Sequence, residues 1–169
     1  MTRFLLDADR CELTATAHST LHPVRAVAQQ LNGWVEATLV DGRLDLDSPV
    51  TARFELPMSA LRVDNPLLGR ELDRRLEIRR YPVAIAEVEK VSDAGGGRYE
   101  AAGQLTLHGE RQPVRGTAEL RVGEAGELLV DGEVQLDIRD FGLRPPSVFG
   151  LKVRPEVEVT LRIVAVPSD

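Results

Sequence analysis

Tyr99-Glu-Ala-Ala-Gly-Gln-Leu-Thr-Leu-His-Gly-Glu-Arg-Gln-Pro-Val-Arg-Gly-Thr-Ala-Glu-Leu-Arg-Val122 is the stretch from which the fold is read. Tyr99, Ala101, Gly103, Leu105 and Leu107 alternate with Glu100, Ala102, Gln104, Thr106 and His108. That is the period of a strand with one buried and one wet face. After a turn at His108 to Arg111 the alternation resumes, with Val114, Gly116, Ala118, Leu120 and Val122 inward. The stretch reads as a hairpin. A hairpin alone is marginal in water, so the rest of the chain must supply strands to pair with it.

Working outward, Phe4 to Thr20 reads as an opening strand pair or one long bent strand, ended by His22-Pro23 because proline lacks a donor and restricts the residue before it. A strand runs from the Asn32-Gly33 turn to Val40, and Asp41-Gly42 is a hairpin signal with Leu44 and Leu46 returning. Val50 to Met58 alternates with Ala52, Phe54, Leu56 and Met58 on one face; further strands are Val83 to Val91, Leu128 to Ile138 and Val153 to Val166. Ser92 to Arg98 and Leu143 to Lys152 read as loops. Asn65-Pro66 opens an amphipathic helix with Leu68, Leu72 and Leu76 at four-residue spacing, ending before Tyr81-Pro82. Strands joined by short turns, without interleaved helices, mean an all-β antiparallel domain. A closed eight-stranded barrel and a two-sheet sandwich both satisfy this pattern.

At 169 residues, 43% hydrophobic and 28% charged, the chain suits one domain spanning residues 1–169. A net charge of -6 and a pI near 5.2 argue against a dedicated nucleic-acid or anionic-membrane binder, leaving room only for a local basic patch. The single cysteine, Cys11, precludes an intramolecular disulfide, and it lacks the surroundings of an activated thiol. The amino terminus has a three-residue apolar run and no secretory h-region, which gives a cytoplasmic expectation. No stretch approaches a membrane span, so stable membrane insertion is not expected.

Gly103-Gln-Leu-Thr-Leu-His-Gly-Glu-Arg-Gln-Pro-Val114 resembles the G-x-L-T-hydrophobic-basic-G-x-x-x-P-V signature of the YceI-like family. Ile138-Arg-Asp-Phe-Gly142 is similar to a second signature of that family, and Leu5-Leu6-Asp7 followed by His18-Ser19 resembles its opening pattern. The resemblance implies an eight-stranded, lipocalin-like antiparallel barrel with one short amphipathic helix. It also implies an apolar ligand of the polyisoprenoid, isoprenoid quinone or amide-like amphiphile kind. No cofactor is expected. Two departures stand out: Leu76-Glu77-Ile78 replaces a phenylalanine-rich segment ahead of Tyr81-Pro82, and the signal peptide of many members is not seen.

On the inward positions Ala37, Ala52, Ala84, Ala86, Ala101, Gly103, Gly116, Ala118 and Gly132 are small. Small side chains on facing walls mean either close wall approach or an open lumen, and an eight-stranded barrel is wide enough for one small ligand. A lumen is expected here. By alternation its contacts are Phe54, Leu56, Ala84, Ala86, Ala101, Gly103, Leu105, Val134 and Leu136, with Trp34 and Phe149 at the mouth. Burying a chain at ~0.8 kcal/mol per methylene needs no specific hydrogen bond. The expected partner is therefore an apolar small molecule such as an isoprenoid or lipid, held by a carrier, storage or sequestration protein that is not an enzyme. A homodimer is compatible with this, and the alternative is a non-catalytic interaction module acting through a protein partner.

Other features read as structural. Arg70, Arg74, Arg75, Arg79 and Arg80 could meet a headgroup, but Glu71, Asp73 and Glu77 balance them into a solvated face. His18 and His22 sit on a strand and a proline turn, which breaks helical ligand spacing, so no metal is expected. His108 is read as an exposed turn residue, and Arg139 with Asp140 as an ion pair pinning the barrel rim. No nucleophile elbow or phosphate loop occurs.

Overall fold

In the computed structural model, which describes residues 1–168, strands from both ends of the chain join one antiparallel sheet that closes on itself. Asp169, the last residue of the expected domain, lies outside the described residues. The strands are β1 (Thr2–Leu6), β2 (Glu12–Ser19), β3 (Val24–Ala28), β4 (Asn32–Ala37), β5 (Leu39–Val40), β6 (Arg43–Leu44), β7 (Thr51–Pro57) and β8 (Arg62–Val63). After the helix α1 (Pro66–Leu76) come β9 (Val83–Gly95), β10 (Arg98–Leu107), β11 (Glu110–Val122), β12 (Leu128–Asp137), β13 (Ser147–Val148) and β14 (Leu151–Pro167).

The barrel runs β1-β4-β7-β9-β10-β11-β12-β14, and pairing of Phe4 with Pro167 and Leu6 with Ala165 returns it to β1. Three staves are broken and continue past the break: β2 follows β1 along the edge of β14, β3 lies in line with β4, and β8 with β7. Of the two readings of Phe4 to Thr20, a strand pair or one bent strand, the second is nearer: β1 and β2 follow one another along β14, separated by a 3-10 turn at Ala8–Arg10. Closure gives each stave a neighbour on both sides, while β9 runs on past Val88, its last residue opposite β7, as a hairpin arm with β10. The expected central hairpin is present in register, Tyr99 opposite Ala118 and Leu107 opposite Glu110.

The two ends of the barrel differ. At one end Phe4, Leu31, Val35, Leu128, Ile163 and their neighbours form a packed plug. At the other, α1 lies across the opening. Asn65 caps it, its side-chain oxygen accepting from the Leu67 and Leu68 amides at 3.0 and 3.2 Å. Leu68 and Leu76, 1% and 4% exposed, turn into the barrel. A 3-10 turn at Ile138–Phe141, with Phe141 buried, closes the same end from β12. The segment expected as a loop from Leu143 to Lys152 instead contains a tight hairpin, β13 turning into β14.

Candidate functional site

Between the packed plug and the helix the barrel is hollow, with a cavity of about 260 Å³. Inward alternation positions its walls: Leu13 and Ala15 of β2, Ala26 of β3, Phe54 and Leu56 of β7, Ala84 and Ala86 of β9. Leu105 of β10, Val114 of β11, Val134 and Leu136 of β12, and Val157 of β14 complete the ring, and Leu68, Leu72 and Leu76 of α1 form the roof. Arg154 is the one charged residue on this lining. It sits in a bulge of β14, where Val153 pairs with Ser19 and Val157 with Ala17, and it is exposed to solvent. A wall of this kind offers shape and hydrophobicity, with one cation where cavity meets water.

Seven of the nine positions expected on the lumen line the cavity: Phe54, Leu56, Ala84, Ala86, Leu105, Val134 and Leu136. Ala101 and Gly103 do not. Ala101 lies opposite Gly116, between the cavity and the plugged end, where the Tyr99 hydroxyl accepts from the Leu44 amide at 3.2 Å. Gly103 stands at a register shift in the β9–β10 pairing, and a Cβ there would overlap the Glu87 carbonyl oxygen. It is small because a backbone passes it. Trp34 is not at the mouth: Val35 takes the inward position at 8% exposure, so Trp34 faces outward, with the Arg3 guanidinium 4.7 Å from its ring. Phe149 is at the cavity end of the barrel but outside the cavity, 94% exposed on the tip of the β13–β14 hairpin.

Several titratable groups nearby are engaged in structure. Arg74 and Arg75 both bond Glu71, at 2.6 and 2.8 Å, and Arg80 pairs with Glu77 at 3.8 Å. The Arg74 guanidinium holds the Glu71 carboxyl below its ordinary range. Arg139 pairs with Asp137 at 2.6 Å rather than with Asp140, and lowers the Asp137 carboxyl likewise. His108 is not the exposed turn residue the sequence suggests. Its Nε2 lies 2.7 Å from Glu77 Oε2, its Nδ1 3.1 Å from the Phe141 carbonyl oxygen, and Tyr81 packs edge-on to it. The ring therefore ties the C-terminus of α1, the β10–β11 turn and the Ile138–Phe141 turn into one brace. Burial pushes the Cys11 thiol up, and its sulfur sits between the Val164 amide and carbonyl groups. Among the described residues no three His, Cys, Asp or Glu side chains gather as a metal site, and no helix is long and apolar enough to cross a membrane.

The YceI-like domain family matches residues 12–165. The fold is shared with BcnA of Burkholderia cenocepacia, at a TM-score of 0.81 and 15% identity over 95% of this chain and 99% of that one. A polyisoprenoid binding domain from Saccharophagus degradans, described as implicated in plant cell wall breakdown, superposes at 0.74 with 14% identity, covering 99% and 100%. A Campylobacter jejuni YCEI protein superposes at 0.64 with 10% identity, covering 85% and 84%. No curated protein matches the chain in sequence.

Proposed function

Because the chain belongs to the YceI-like family, we propose that it takes one long apolar or amphiphilic molecule into the cavity and serves as a carrier, store or sequestering protein rather than an enzyme. The ligand class is an isoprenoid, an isoprenoid quinone or a lipid-like chain. The observation that carries this reading is the cavity wall, apolar throughout except for Arg154 at its margin. Binding then rests on methylene burial, worth ~0.8 kcal/mol each, with no hydrogen-bonded anchor inside. A polyisoprenoid-binding domain of the same fold supports the class.

The cavity of about 260 Å³ is slightly smaller than the ~300–1,000 Å³ that encloses a drug-sized ligand. A long chain would therefore place one segment inside and the remainder at the mouth, or displace the leucines of α1. The test is a melting curve with and without a long-chain isoprenoid alcohol. Ligand at a hundredfold excess over its dissociation constant should stabilise the native state by about 2.7 kcal/mol. Replacement of Ala86 by Phe fills the cavity and should abolish the shift while leaving a cooperative melt. An unchanged melting temperature in the unsubstituted protein rules the reading out.

A further inference from the structure

We propose that the cavity end of the barrel docks reversibly, through its loop tips, on an anionic lipid surface. Three large apolar side chains there are exposed: Phe149 at 94%, Leu21 at 79% and Leu67 at 47%. They stand on elements that meet. The β2–β3 turn carrying Leu21 is bonded to the β13–β14 hairpin carrying Phe149, the Thr20 amide donating to the Lys152 carbonyl at 3.1 Å. Leu68, next to Leu67, packs against Val148 and Leu151 of the same hairpin.

Phe149 is costly where it is. It has φ 50 and is followed by Gly150 at φ 82, so both central residues of a two-residue hairpin turn lie in the left-handed region. Asn, Asp or Gly suits the first of these positions, whereas an aromatic there pays in backbone strain and in hydration, with no contact in return. A water-exposed phenylalanine held out on a tight turn is the form of an interfacial anchor, an aromatic ring that settles at headgroup level.

Charge selects the surface. Around the Phe149 hairpin, the segments 18–25, 62–70 and 141–155 hold Arg25, Arg62, Arg70, Arg144, Lys152 and Arg154 against Asp64, on a chain whose net charge is -6. The rest of this end is balanced, Glu71, Asp73, Glu77, Asp137 and Asp140 standing against Arg74, Arg75, Arg79, Arg80 and Arg139, so the basic surplus remains. Arg144, Lys152 and Arg154 flank the Phe149 hairpin, are exposed, and form no ion pair among the described residues. An anionic bilayer attracts this end and repels the rest, which orients the barrel with its mouth toward the lipid. Arg154 borders both the cavity and the solvent, so a ligand leaving the membrane would enter the barrel past the docking tips. That purpose rests on the function proposed above; the docking itself does not.

The experiment is co-sedimentation of the ligand-free full chain with vesicles of phosphatidylcholine, with and without phosphatidylglycerol, over a salt series. The expected result is binding to the anionic vesicles alone, weakening as salt rises. Phe149→Ser should lower it roughly tenfold, and the pair Lys152→Glu and Arg154→Glu should abolish it. Val122→Ser, an exposed apolar residue at the opposite end, should leave it unchanged, with melting curves confirming that each variant folds. Absence of binding to either vesicle, or binding indifferent to Phe149→Ser and to the Lys152→Glu and Arg154→Glu pair, overturns the proposal. A concentration-dependent dimer dissolved by Phe149→Ser would assign the tip to a second copy and overturn it as well. Because no ligand is used, failure here leaves the cavity reading standing, and loss of ligand binding leaves docking standing.

Discussion

At Gly103 a side chain has nowhere to go. The bulge in the β9–β10 pairing brings the Glu87 carbonyl over its Cα, so Gly103→Ala should force the two strands apart and cost about 1–3 kcal/mol in urea-unfolding free energy. An unchanged midpoint would show that the bulge relaxes freely. The neighbouring small residues have other reasons to be small. Ala84 and Ala86 leave room in the cavity, Ala37 and Ala52 are packed into the plug, and a Cβ on Gly116 would lie 2.7 Å from the Glu133 carbonyl oxygen. A row of small inward residues was visible from the sequence, but its three causes were not, because each depends on how close the facing strand comes. His108 was misread for a similar reason. Its partners Glu77 and Phe141 are 31 and 33 residues away, beyond the reach of any local pattern.

At the level of elements, local patterns were informative wherever one face was buried. The hairpin of β10 and β11, the strands β7 and β12, and the Asn65-capped helix α1 follow directly from alternation, turn residues and the leucine spacing. The strand β3 was hidden behind Pro23, which ends one strand and immediately precedes the next. The two-residue strand β13 is too short to show a period. Two ion pairs near the cavity end make an acid-side prediction. The Glu71 and Asp137 carboxyls, ordinarily at 4.5 and 3.8, are both lowered in the folded chain, by Arg74 and Arg139 respectively. A folded-state value below the unfolded one means that the stabilisation is complete above the unfolded values and fades as pH falls through the folded ones. Stability should therefore begin to drop below about pH 4.5, and the double substitution Glu71→Gln with Asp137→Asn should flatten that drop. Because both pairs are open to water, the change is expected to be small. Identical acid profiles for the two proteins would show that the pairs contribute nothing.

Over the whole molecule, the barrel is solid at one end and hollow at the other. Phe4, Leu128, Ile163 and Ala165 are buried inside the barrel where β1 and β12 flank β14, each large side chain contributing roughly 1.5–3 kcal/mol. That plug supplies a core that does not depend on a ligand. The far end can then stay open beneath α1, held by the His108 brace rather than by a filled interior. Closure of the barrel was inferred from family resemblance, since alternation alone fits a sandwich equally well. The division into plug and cavity needed the strand register, because two positions along the same face, as from Ala101 to Leu105 on β10, lead from outside the cavity onto its wall. Whether this cavity holds a long apolar chain is decided by native mass spectrometry of the purified protein followed by organic extraction. A mass adduct at one ligand per chain is expected, extracting into organic solvent as an isoprenoid or lipid and lost in Ala86→Phe. A protein that is empty as isolated and remains at its bare mass after incubation with excess long-chain isoprenoid would contradict it.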